Sequence, residues 1–319
     1  MMNQIGIYTF LISFAVSFIL IPSVLKLLYK WKLGQPISED APDRHVSKNG
    51  TPTMGGIIII AGFLAGYICY FICKPSSALI YLPVVVFMLF SSLIGALDDY
   101  LTVFPKNDIR GIKSTPKAIL QLIITILFMS YVLYANPNIG IWLGSFHISG
   151  IWYGIVAVFI VTAYMNFVNI TDGLDGLLAG LTAILCGIFA YACAAPFMAA
   201  LCGACLAFLF VNANPAKAFM GDTSSLFIGS GIIAFSIIDG LEIPILIASL
   251  IFILDGLSTV VQWAFFKYTR IIKGKGKRLF LKAPVHHHFE MKGYPEQKIV
   301  IRCWIFGVIF AMIAVLLFL

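Results

Sequence analysis

Leu93-Ile94-Gly95-Ala96-Leu97-Asp98-Asp99-Tyr100 closes an apolar run that begins near Leu79. The run is about as long as a helix needs to cross the hydrocarbon core of a bilayer, roughly 20 residues. It ends on two adjacent acids, which marks where hydrocarbon gives way to water. Runs of this kind recur along the whole chain, near residues 5–25, 53–73, 79–97, 117–134, 151–168, 176–194, 197–213, 223–238, 243–266 and 301–319. The expected fold is therefore all-α, a polytopic membrane protein of about ten transmembrane helices. It reads as one integral domain over residues 1–319, with no visible repeat and no separate soluble domain.

Composition agrees. Of 319 residues, 61% are hydrophobic and 11% charged, whereas a soluble domain is roughly a quarter charged. The net charge is +7, but the basic residues lie in short loops between spans. There they set topology and meet anionic lipid headgroups, so the membrane and not nucleic acid is the expected partner. One set of alternate loops, 26–52, 98–116, 169–175, 214–222 and 267–300, holds 20 of the 21 Lys and Arg when the span ends carrying Lys117 and Arg302 are included, Lys74 being the exception. By the positive-inside rule that set is cytoplasmic and both termini are external. The first segment has no basic leader and reads as a retained span. The loop 135–150 carries no charge but has Trp142, and Trp152 follows it, which suggests an interfacial hairpin with aromatic anchors and His147 at the surface. The seven cysteines, including the Cys202-Gly-Ala-Cys205 pair, sit in apolar surroundings and read as helix-packing residues.

The chemically useful residues sort to the same face as the basic ones. Asp98 and Asp99 repel one another, and a divalent cation or cationic group would relieve that. Asn166, Asn169, Asp172 and Asp175 recur every three residues at the end of the fifth span, where polar groups are expensive unless they face a cavity or a partner. Asn212 precedes Phe219-Met220-Gly221-Asp222-Thr223, where a new span starts. Such a helix start is an ordinary place for capping residues, and it is also a ready phosphate site that Gly221 lets approach closely. His286-His287-His288 follow a basic run, and consecutive side chains point different ways, so phosphate recognition suits them better than a zinc site. Hard oxygen ligands favour Mg²⁺, which typically bridges carboxylates and substrate phosphates. The reaction class this suggests is phosphoryl transfer on a membrane-anchored substrate, with a cytoplasmic-face active-site cleft. A transporter is the rival from another class, but transporters place ionisable groups near the midplane in repeated halves.

The ordered blocks Lys48-x-Gly50-Thr51-Pro52-Thr53-Met54-Gly55-Gly56, Asp98-Asp99-Tyr100, Asn166-x-x-Asn169-x-x-Asp172-Gly-x-Asp175-Gly176, Phe219-Met220-Gly221-Asp222-Thr223 and Ala283-Pro284-x-His286-His287-His288-Phe289-Glu290 span nearly the whole chain. In them the chain resembles the polyprenyl-phosphate N-acetylhexosamine-1-phosphate transferases. The last block looks like the branch that takes UDP-N-acetylmuramoyl-pentapeptide as donor. The resemblance implies attack by undecaprenyl phosphate on the donor's β-phosphate, giving lipid I and UMP, with Mg²⁺ as cofactor. A relative using another UDP-N-acetylhexosamine is the alternative within the family.

The resemblance also implies roles. Asp222 is the metal ligand, with Asn169 beside it. Asp98 and Asp99 are candidates for base, lipid-phosphate handling or metal contact. Asn166, Asn169, Asp172, Asp175 and Asn212 line the nucleotide and metal cleft. Lys48, Lys106 and Lys117 are pocket cations, with Thr53 in the first block. Phe219 stacks on uracil, and His286 and His287 contact the donor. A homodimer through the external halves is expected. Two positions depart from the family pattern. Thr102 stands where a Lys is common, and Asp255, followed by Ser258 and Gln262, stands where Glu is usual in the nucleoside pocket.

Overall fold

The computed structural model describes residues 4–31, 50–105, 111–143 and 146–319. In chain order the elements are α1 (Gln4–Lys30), α2 (Ile57–Cys73), α3 (Pro75–Leu79), α4 (Leu82–Val103), α5 (Ser114–Ala135), β1 (Gly140–Leu143), β2 (Phe146–Ser149), α6 (Gly150–Thr171), α7 (Leu177–Ala192), α8 (Pro196–Asn212), α9 (Asp222–Asp239), α10 (Glu242–Ala248), α11 (Leu250–Lys273), α12 (Val285–Met291) and α13 (Glu296–Phe318). Among the described residues seven helices are long and apolar enough to cross a membrane: α1, α4, α5, α6, α9, α11 and α13. Three shorter apolar helices, α2, α7 and α8, complete the ten that the sequence predicts. The chain is an all-α polytopic membrane protein. The uncharged loop forms the expected hairpin, with β1 antiparallel to β2 and Trp142 opposite His147.

Three boundaries differ from expectation, each for a local reason. The acids Asp98 and Asp99 do not close α4, which continues through Tyr100-Leu101-Thr102 to Val103. It stops where Pro105 disfavours helical backbone at Phe104. The ninth span is two helices, α10 and α11, that meet at Ser249. The Ser249 hydroxyl hydrogen-bonds Tyr164 Oη at 2.7 Å, and a side chain drawn out of a helix in this way is a recognised cause of bends. The last span starts earlier, at Glu296 directly after Pro295, a position where proline's missing N–H costs nothing.

Helix α9 is the centre of the bundle. Every residue from Thr223 to Ile237 is buried, and its main neighbours are α4 and α6. Its small residues, Ser224, Ser225, Gly229, Ser230 and Gly231, allow that close approach, as small residues do in membrane bundles. A Cβ on Gly95 of α4 would sit 2.1 Å from the Asp222 carbonyl oxygen. Around this centre α1, α2, α7 and α8 pack on one side and α10, α11 and α13 on another. Ser13 Oγ donates to Ala200 O at 2.6 Å and Ser17 Oγ to Ile58 O at 3.1 Å, joining α1 to α8 and α2. All seven cysteines are free, and Cys186, Cys202 and Cys205 are buried among apolar neighbours, as packing residues should be.

Candidate active site

Alternating helix ends bring the sequence blocks to one end of the bundle: the starts of α2, α5, α7, α9 and α13, and the ends of α4, α6 and α8. Two blocks far apart in sequence lie directly together. Gly55 N–H donates to Phe219 O at 2.9 Å, Gly56 N–H to Met220 O at 3.1 Å, and Phe219 N–H to Pro52 O at 2.8 Å. A Cβ on Gly56 would strike Ser224 Oγ at 1.9 Å, so only glycine lets the start of α2 rest on α9. The segment then turns at Gly221, whose φ of 79° is a backbone conformation that side chains disfavour. Thr53 is buried beside that turn.

The charged centre forms where α4, α5, α6 and α9 meet. Lys117 Nζ of α5 contacts Asp222 and lies 3.5 Å from Asp98 Oδ2. Asn169 Nδ2 donates to Asp222 Oδ1 and to Ser225 Oγ, both at 2.8 Å. Asp98 Oδ1 accepts the Ile112 N–H at 2.8 Å. Asp172, just past the end of α6, holds its proton well above the ordinary carboxylate range. Burial is the main cause, followed by the charges of Asp222 and Asp99, while a Gly221 N–H hydrogen bond pulls the other way. Among the described residues Lys117 is thus shared by two carboxylates, those of Asp98 and Asp222.

Asp98 and Lys117 also line a polar cleft of 260 Å³ with Thr102, Ser114, Gln121 and Asn166. Asn166 Nδ2 donates to Gln121 Oε1 at 2.8 Å and to Thr162 O at 2.8 Å, so it forms part of the wall. Gln121 escaped the sequence reading because it is one amide inside an apolar span, and only its neighbour Asn166 hinted at a polar floor.

The acids and amides fit a hard cation. Among the described residues no three His, Cys, Asp or Glu side chains converge into a metal cage. Mg²⁺ is usually bound through one or two carboxylates plus substrate phosphates. Asp222 could supply such a carboxylate, with the Asn169 carboxamide beside it.

Other predicted residues are engaged differently. Asp175 Oδ2 accepts Asn214 Nδ2 at 3.1 Å and the Ala216 N–H at 3.0 Å, and the Asp175 N–H donates to Glu296 Oε1 at 2.7 Å. Asn212 bridges the Gly176 N–H and Ala218 O, both at 3.1 Å. These two hold the 213–219 loop in shape, with the half-buried Phe219 at its end. Glu296 is a partner the sequence does not flag, being 121 residues from Asp175.

Asp255 was expected in a nucleoside pocket. Its carboxylate takes His286, with Nδ1 2.6 Å away and the His286 N–H at 3.2 Å. His286 is itself buried rather than exposed in a loop. His287 pairs with Glu290 at 2.6 Å. Burial pulls the His287 imidazole below its usual range, against the raising effect of Glu290. Gln262 accepts the Leu279 and Phe280 N–H groups at 2.9 and 3.0 Å and so ties down the loop before α12. Lys48 and Lys106 lie outside the described residues.

Comparison with known proteins identifies the family. The family model described as glycosyl transferase family 4 matches residues 79–240. The first signature of phospho-N-acetylmuramoyl-pentapeptide transferases matches residues 48–60. A phospho-N-acetylmuramoyl-pentapeptide transferase of Geobacillus thermodenitrificans is 38% identical over 332 residues, covering 99% of this chain and 98% of its own. Those of Bacillus velezensis and Bacillus subtilis are each 37% identical, over 326 and 329 residues, with the same coverage.

Proposed function

The chain belongs to the phospho-N-acetylmuramoyl-pentapeptide-transferase family and is a phosphotransferase, and from that premise we propose that it moves phospho-N-acetylmuramoyl-pentapeptide from its UDP donor to undecaprenyl phosphate. The products are lipid I and UMP, in the membrane stage of peptidoglycan synthesis. The observation that carries the reading is the meeting of Asp98, Lys117, Asn169 and Asp222 beside a polar cleft.

Asp222, with Asn169, would hold Mg²⁺, whose positive charge offsets that on the donor diphosphate and the departing UMP. Lys117 sits between Asp98 and Asp222 and offsets part of their charge. The cleft lined by Asp98, Thr102, Ser114 and Lys117 receives the acceptor phosphate. An acceptor oxygen forms the new bond to the donor's β-phosphorus, and the bond from that phosphorus to the UMP oxygen breaks. The acceptor is a phosphate monoester with a second pKa of about 6, so most of it is already a dianion at neutral pH. It needs no strong base, which favours direct attack over a covalent intermediate on Asp98.

The end of the bundle that carries the site is the cytoplasmic one in this reading, with both termini external. The support is the sequence pattern, in which 20 of 21 Lys and Arg fall in one set of alternate loops or at the adjoining span ends.

The test uses purified protein in detergent with Mg²⁺ and undecaprenyl phosphate. UMP release from UDP-N-acetylmuramoyl-pentapeptide, but not from UDP-N-acetylglucosamine, is expected, and the reverse preference would sink the proposal. Trapping phosphate on Asp98 without lipid acceptor would overturn direct attack.

A further inference from the structure

The N–H groups of the first turn of α9, from Asp222 to Ser225, are all taken. Those of Ser224 and Ser225 go to Gly221 O at 3.2 and 3.1 Å. The remaining two go to a residue of another helix: Asp222 N–H donates to Asp99 Oδ1 at 3.1 Å and Thr223 N–H to Asp99 Oδ2 at 2.9 Å. Thr223 Oγ donates to the same Asp99 oxygen at 2.6 Å. The four N–H groups of this first turn are thus engaged within the protein.

Asp99 and Asp98 therefore do different work although they are adjacent. Consecutive helical residues point about 100° apart, from 3.6 residues per turn. Asp98 turns to the cleft and Lys117. Asp99 turns to the bundle centre, is 6% exposed, and has three donors on its two oxygens. One turn earlier on α4, Gly95 lies against the Asp222 carbonyl. The turn at Gly221 has no room for a side chain, since a Cβ there would meet Asp99 Oδ2 at 2.5 Å.

We propose that Asp99 is a positioning residue, a cap lent by α4 to α9 that fixes the first turn of α9 and thereby aims the Asp222 carboxylate, without itself touching substrate or cation. This deepens the reading above and rests on it for the role of Asp222. The hydrogen bonds are charge-assisted, and such bonds are the strong kind. Replacing Asp99 by Asn keeps the shape but turns an amide donor toward backbone donors.

The test compares wild type, Asp99→Asn and Thr223→Val as full-length protein in detergent, with three readouts. The first is hydrogen exchange of the 221–226 amides in EDTA. The second is Mn²⁺ binding followed by electron paramagnetic resonance without substrate. The third is turnover against Mg²⁺ concentration. In Asp99→Asn, exchange at 221–226 should quicken while α7 and α8 stay protected. Mn²⁺ affinity should fall about tenfold, the scale of one lost charge-assisted hydrogen bond, and raised Mg²⁺ should restore most of the turnover.

Unchanged exchange and Mn²⁺ binding with turnover lost at every Mg²⁺ concentration would overturn the proposal and place Asp99 at the reacting atoms. If Asp99→Asn does not fold, Thr223→Val removes one of the three bonds and decides alone: quicker exchange with weaker Mn²⁺ binding supports the cap, and no change refutes it. Wild-type turnover that persists in EDTA, with no Mn²⁺ bound, would instead refute the Mg²⁺ reading of Asp222 and leave the exchange result standing.

Discussion

His286 Nδ1 and Asp255 Oδ2 lie 2.6 Å apart, joining α12 to α11 in a place that water scarcely reaches. The same carboxylate accepts the His286 N–H at 3.2 Å. Asp255→Ala leaves both donors buried and unpaired, at a cost of about 1–3 kcal/mol for each orphaned group. Thermal unfolding in detergent should show a melting point lower by several degrees. An unchanged melting point would mean that α12 is held by something else.

The other face of the imidazole rests on Gly173, where an added Cβ would lie 2.2 Å from Nε2. The ring cannot swing aside while Asp255 holds it. Gly173→Ala should therefore lose about 1–3 kcal/mol, the usual scale of overpacking. Gly187→Ala is the contrast, because its methyl meets only Cys202 Sγ at 3.2 Å. Equal stability of the two variants would contradict the geometry.

Lys117 is the cation among the centre's acids. Lys117→Gln removes one positive charge from a place where a metal would bind. At about 4 Å and an effective dielectric of 20 that charge acts on a neighbour with about 4 kcal/mol before screening. Affinity for Mn²⁺ in substrate-free protein should rise several-fold while turnover falls by at least about tenfold, a 1.4 kcal/mol loss. Weaker metal binding would show instead that Lys117 acts chiefly by orienting Asp222.

Asp172 makes stability depend on pH. Its carboxyl holds its proton above the ordinary value of 3.8 because of burial and the charges of Asp222 and Asp99. The folded state therefore binds that proton more tightly than the unfolded chain does. Stability from this group is full below 3.8 and declines as pH rises, levelling off once pH exceeds the folded value. In EDTA, Asp172→Asn should melt above wild type at neutral pH, with the gap closing on acidification. A gap that widens toward acid would contradict the sign.

Cys73 ends α2 and is exposed at the end of the bundle away from the charged centre. In the proposed orientation, with both termini external, a membrane-impermeant maleimide added to intact cells should label it. Labelling only after permeabilisation would invert the topology.

The helices were readable in advance from their apolar runs, and Asp98, Asn169 and Asp222 stood out as polar groups where hydrocarbon should be, whereas Lys117 came only with the family resemblance. What stayed hidden depends on partners distant in sequence. Asp99 looks identical to Asp98 in the chain, and only the approach of α9 assigns one to the interior and the other to the cleft. Asp175 and Asn212 share the spacing and polarity of site residues, yet the 213–219 loop absorbs their hydrogen bonds. The bend at Ser249 needs Tyr164, 85 residues away, and so leaves no trace in a hydropathy pattern.

The burial of α9 has a mechanical consequence. Bilayer thickness acts on a protein through the helices that lipid touches, which tilt or bend to match it. Helix α11 presents Leu254, Leu257, Val260 and Trp263 outward, and α13 presents Ile305, Phe306 and Met312. Helix α9 presents almost nothing. A thicker or thinner membrane therefore acts first on α11, the helix that carries Asp255 and through it His286, and least on the helix bearing Asp222.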